Sequence, residues 1–93
     1  TNGAEEALLR RVAAVEALGR AADRDPGVTR ALFRSLQDPS EHVRWRAAKA
    51  LEGVDATWVA ELAQAADSAD AYVRGCATWS LGRLGAAAAE VPR

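Results

Sequence analysis

Apolar residues recur along the chain at helical spacing, in blocks separated by polar breaks. Val43, Ala47, Ala50, Leu51 and Val54 fall at i, i+4, i+7, i+8 and i+11, a single stripe on one side of a helix. Val73, Ala77, Leu81 and Leu84 form a similar stripe, and Val28, Leu32 and Leu36 form an i, i+4, i+8 ridge. The breaks carry start and stop signals. Asp25-Pro26 sets an N-cap acid before a proline suited to a first helical turn. Asp38-Pro39-Ser40-Glu41, Gly53 with Asp55, and Asp67-Ser68-Ala69-Asp70 are the later breaks, and Gly85 is placed to stop a last helix. These signals predict five helices, near 3–22, 26–37, 40–52, 55–66 and 70–84, with an alanine-rich tail over 85–93. Loops of two to five residues make neighbouring helices antiparallel.

The blocks are copies of one another. Arg10–Gly19, Val43–Glu52 and Val73–Gly82 align without gaps, with anchor leucines Leu18, Leu51 and Leu81 at spacings of 33 and 30. Between them, Val28, Leu32 and Leu36 match Trp58, Leu62 and Ala66. The chain therefore divides into an orphan helix (3–22), two hairpin repeats (26–52 and 55–84) and the tail (85–93). A hairpin of this kind cannot bury its stripe alone, and stacking the next one closes the core.

Composition supports an all-α reading. Alanine accounts for 23 of 93 residues, isoleucine is absent and the eight valines mostly stand singly, so a β-sheet core is not expected. Twelve basic and thirteen acidic residues give a net charge of −1, without the positive excess of a general nucleic-acid binder. The single Cys76 excludes an internal disulfide and a multi-cysteine metal site, and fits a reducing, cytoplasmic setting. No apolar run is long enough to span a bilayer, and there is no signal peptide. The absence of a starting Met suggests a piece of something longer.

The segment Leu36-Gln37-Asp38-Pro39-Ser40-Glu41-His42-Val43-Arg44, followed by Ala47-Ala48 and Ala50-Leu51, resembles the HEAT repeat in its short bacterial, phycobilisome-lyase-type form. Val73-Arg74 and Leu81-Gly82 continue the resemblance, which covers roughly residues 8–85. It implies an α-α superhelix, a HEAT-like solenoid, whose first helices line the convex side and whose second helices line the concave side. Binding is usually concave in this family. In its turn, Asp38 and Arg44 match the family's Asp and Val-Arg spacing, and the structural expectation is that Arg44 pairs with Asp38. In the last repeat Ser68 stands where that Asp is expected, with Asp67 one residue early and Asp70 two late.

Within such a stack, Trp45 lies two residues past Val43, about 200° around the helix, and points away from the hairpin core. Lys49 shares its face. Val12, Trp45 and Gly75 should form one row, and Glu16, Lys49 and Trp79 the next, so that the two tryptophans stand near each other and Gly75 leaves room for the Trp45 ring or a ligand. Trp and Arg dominate interface hot spots. The candidate partner-binding residues are therefore Trp45, Trp79, Arg46, Lys49, Glu16 and Arg83. Trp58, which matches Val28, is expected in the core, Phe33 on the convex side, and Tyr72 packed at a turn.

No constellation for chemistry accompanies them. His42 has no partnered nucleophile and is expected in solvent, and Cys76 is expected to pack. There is no glycine-rich phosphate loop, metal-ligand cluster or paired-carboxylate cleft, so no cofactor is expected. The function expected is a non-catalytic protein–protein interaction or scaffold module with a protein or peptide partner. The alternatives are a nucleic-acid contact through a ladder of Arg44, Arg74 and Arg10 or Arg11, disfavoured by charge balance, and a non-catalytic segment of a larger HEAT-type enzyme. The apolar residues of the orphan helix cover more than one stripe, which points to a homodimer or to additional repeats through helix 3–22.

Overall fold

A computed structural model describes residues 3–21 and 25–89, the last four of these by backbone alone. Five α-helices and no strand occur among the described residues: α1 (Gly3–Arg20), α2 (Pro26–Ser35), α3 (Glu41–Ala50), α4 (Val59–Ala65) and α5 (Ala71–Ala89). Short 3-10 turns, Leu51–Gly53 and Ala56–Trp58, lie between α3 and α4. No described helix is long and apolar enough to cross a membrane. The molecule is elongated, 58 × 28 × 14 Å.

Each start signal has a physical counterpart. The Asp25 carboxylate accepts from Val28 N–H at 2.8 Å with Pro26 opening α2. Ser40 Oγ accepts from His42 N–H at 3.2 Å to cap α3. Asp55 accepts from Thr57 N–H at 2.9 Å, capping a 3-10 turn rather than the α-helix expected from residue 55. The expected end of the first helix at residue 22 lies outside the described residues; α1 runs to Arg20. Gly85 does not stop the last helix. α5 passes through it to Ala89, because the alanines after it favour helix and no described glycine takes a positive φ.

Helices α1, α3 and α5 lie side by side in one layer, each packed on the next. α2 lies against α1 and α3, and α4 against α5, in the other layer. The core is drawn from the predicted stripes: Leu32 and Leu36 from α2 and its cap, Val43, Ala47, Leu51 and Val54 from the α3 region, Leu62 from α4, Val73 and Ala77 from α5, joined by Val15 from α1, while the stripe residues Val28, Ala50, Leu81 and Leu84 are half-buried. Trp58 is half-buried at the core's edge, where its ring stacks on Phe33 with centroids 5.6 Å apart and lies 5.9 Å from the Arg30 guanidinium.

Candidate functional site

The second helices are joined by two seams built to the same plan. At the α1–α3 seam, Arg11 Nε donates to Asp38 Oδ2 at 2.9 Å, and Arg46 Nε donates to Glu16 Oε2 at 3.3 Å. The backbones approach so closely that a Cβ on Gly19 would sit 3.1 Å from that of Ala50. At the α3–α5 seam, Arg44 Nε donates to Asp70 Oδ2 at 2.9 Å, and Trp45 Nε1 donates to the same oxygen at 3.0 Å. The Trp45 ring tilts against Tyr72, with centroids 5.5 Å apart. Arg83 Nη2 reaches back across this seam and donates to the carbonyls of Glu52 at 3.1 Å and Val54 at 2.7 Å.

The expected Arg44–Asp38 ion pair is corrected by this geometry. Arg44 Nη1 donates to the backbone carbonyls of Asp38 and Pro39, both at 2.9 Å, which fixes the turn through the main chain. The Asp38 carboxylate faces the preceding repeat and takes Arg11. Arg74 treats its own turn as Arg44 does, donating through Nη1 to Ser68 O at 2.8 Å and Ala69 O at 3.1 Å. So Ser68 in the place of an Asp does not break the turn. The two turns exchange roles instead. In the first, Asp38 Oδ1 accepts from Ser40 N–H and Ser40 caps the helix. In the second, Ser68 Oγ accepts from Asp70 N–H, and Asp70 caps the helix through Tyr72 and Val73 N–H while also receiving Arg44.

Electrostatics depend on the same contacts. Burial pushes the Asp70 carboxyl up, but donors from Arg44, Val73, Trp45 and Tyr72 outweigh it and hold the group below the usual carboxylate range. Asp38 is likewise lowered, its burial outweighed by Ser40 N–H and Arg11. Burial pushes the Cys76 thiol up against an opposing hydrogen bond with Tyr72, so the group is held as a thiol and is a poor nucleophile.

The six candidate residues thus separate. Trp45, 38% exposed, belongs to the seam, and its ring partner is Tyr72. It does not use the space at Gly75, where an added Cβ would meet nothing within 4 Å. Glu16 and Arg46 pair with each other. Lys49 reaches Glu52, in the 3-10 turn that follows α3, at 2.9 Å yet stays largely in solvent. Trp79 is 55% exposed, with the Arg83 guanidinium 5.8 Å from its ring centre. Two contributors are absent from the expected set: Asp70, which joins the repeats, and Tyr72, which covers Trp45. The signal for Asp70 in the sequence is the pair of arginines at one register, each followed 26 or 27 residues later by an acid.

An open groove of about 690 Å³ runs between the α2–α3 and α4–α5 turns, lined by Phe33, Pro39, Arg44, Glu61, Asp67 and Asp70 among others. No group of three or more His, Cys, Asp or Glu side chains among the described residues is arranged to hold a metal ion.

Stacked antiparallel helical hairpins joined by periodic side-chain seams define an all-α helical-repeat protein. A family model described as HEAT repeats matches residues 4–57, more than half of the chain, and the chain belongs to that family. The match ends just before α4, and the turn chemistry around Ser68–Asp70 carries the same repeat onward. No curated protein and no solved structure matches the chain. HEAT repeats are commonly protein-interaction scaffolds and are generally non-catalytic.

Proposed function

We propose that this chain is a non-catalytic protein–protein interaction module, an orphan second helix plus two repeats, that binds a protein or peptide on the concave face formed by α1, α3 and α5. The observation that carries this is Trp79. More than half of its surface is exposed on a second helix, although the same chain shields Trp45 with Asp70 and Tyr72. Covering the exposed part of a Trp removes on the order of 140 Å² from water, worth about 3 kcal/mol at most. Arg83 flanks it with charge, giving an aromatic anchor with a cationic neighbour suited to an acidic or amphipathic segment.

The arginine register favours this over a nucleic-acid contact, since Arg11 and Arg44 are engaged by carboxylates. We assign the chain to the short bacterial, phycobilisome-lyase-type form acting in the cytoplasm, on the residues of its turn, and take α1 as a further docking face for a second copy or another repeat. The test is an affinity capture from source-cell extract with the wild-type chain and with Trp79→Ala, both verified as helical by circular dichroism. Partners retained by the wild type should be lost or weakened tenfold or more by the substitution. A partner that binds both chains, and also Trp79→Ala with Lys49→Ala, removes the proposal.

A further inference from the structure

Arg11, Arg44 and Arg74 occupy one register on α1, α3 and α5. Two of them complete the same connection, in which Nε reaches a carboxylate in the turn of the following repeat at 2.9 Å. Arg74 has the first half of the arrangement only. Its Nη1 is tied to two carbonyls of its own turn, as Arg44's is, while its side chain stays exposed and no carboxylate among the described residues meets its Nε. A guanidinium already held in its pairing pose needs little further ordering to accept a carboxylate.

The same register locates a receiver. Thirty-three residues before Asp38 stands Glu5, with Glu6 beside it, in the first turn of α1. Thirty-three before Ala50, the residue against which Gly19 packs, stands the exposed Ala17; the α5 residue matching Gly19 is the exposed Gly82. The outer faces of α5 and α1 therefore repeat the small residues at that seam's close approach and one of its two charge pairs, while the Arg46–Glu16 pair maps to Ala13 and Trp79.

We propose that a second copy of this chain stacks head to tail on the first, α1 of one on α5 of the other, with Arg74 reaching Glu5 or Glu6 of the second copy. This rests on taking α1 as a docking face and adds its partner surface and polarity. The contact joins two different faces, so it does not close at two copies.

Sedimentation equilibrium over a wide concentration range at low salt tests it with three chains: wild type, Arg74→Glu, and the double variant Glu5→Arg with Glu6→Arg. The mass of the wild type should rise past that of a dimer. Each variant alone should need at least tenfold higher concentration, because like charges then meet. An equimolar mixture of the two variants should assemble again, since every junction in an alternating stack pairs opposite charges. Helical content by circular dichroism controls for folding, and Arg74→Gln repeats the loss without reversing charge. A mass that stops at two copies and ignores Arg74→Glu overturns the head-to-tail contact while leaving α1 as a docking face. A monomer at every concentration overturns both.

Discussion

Removing the Asp70 carboxylate should damage the stack more than removing an ordinary helix cap. Its two oxygens receive the Arg44 guanidinium, the Trp45 indole and the N–H groups of Tyr72 and Val73. Asp70→Ala takes away a helix N-cap, worth about 1 kcal/mol. It also strips Arg44 of its carboxylate. Side chains here are 24% and 10% exposed, so this ionic hydrogen bond is partly solvated and Arg44 keeps its two carbonyls; a further loss of about 1–2 kcal/mol is appropriate. The sum, about 2–3 kcal/mol, lowers the melting temperature of a domain this size by about 10–20 °C. Thermal and urea unfolding followed by circular dichroism measures it. Asp70→Ser separates the parts: a serine caps, as Ser40 does, but cannot pair with Arg44, so it should recover about 1 kcal/mol. Asp55→Ala, which loses one cap and no seam contact, is the control and should be much milder. Equal losses for Asp70→Ala and Asp55→Ala would refute the reasoning, because the seam would then contribute nothing.

Acid should weaken the fold through the same groups. Asp38 and Asp70 are held below their ordinary value in the folded chain, so their contribution is present above a pH of about 4 and is lost as pH falls through the folded-state values. The urea midpoint should drop below about pH 4, and Asp70→Ser should flatten that drop. Ser80 is 1% exposed and its hydroxyl has no hydrogen-bond partner among the described residues; Ser80→Ala should stabilise by about 1 kcal/mol, read as a raised urea midpoint with unchanged slope. Gly75→Ala places a methyl in open space and should stabilise by about 0.5–1 kcal/mol, whereas Gly19→Ala meets Ala50 at 3.1 Å and should give no gain. Thermal melts of the two glycine variants side by side check this.

The parts of the fold that depend on periodicity were legible in the sequence. Spacing alone places Val43, Ala47, Ala50, Leu51 and Val54 on one stripe, and all but the half-buried Ala50 are buried. The parts that depend on competition between partners were not. Spacing put Arg44 beside its own turn, and it is there; but the turn offers it carbonyls, while a carboxylate 26 residues away is within reach of Nε. A one-dimensional pattern cannot rank those acceptors. Gly85 misled for a related reason: a glycine is a stop signal only when the backbone turns there, and the alanines after it outweigh its low helix propensity. For Trp45 the pattern supplied a direction, outward from the hairpin, but not that Asp70 and Tyr72 occupy that direction.

That difference between the two tryptophans bears on recognition. Trp45 and Trp79 lie one row apart on adjacent second helices, yet each has a different neighbour in space. Trp45 has α5 beside it and closes the seam by giving its indole N–H to Asp70. Trp79 has Arg83 beside it, and Arg83 is itself tied to the carbonyls of Glu52 and Val54 at the end of α3. The cation near Trp79 is thus fixed by main-chain acceptors rather than by a flexible acid. A guanidinium so held restrains the indole without covering it, which lowers the ordering cost that an exposed side chain incurs when a partner binds. Releasing Arg83 by Arg83→Ala should therefore weaken capture of the partner proposed to seat on Trp79, read in the same affinity capture, even though Arg83 need not touch that partner.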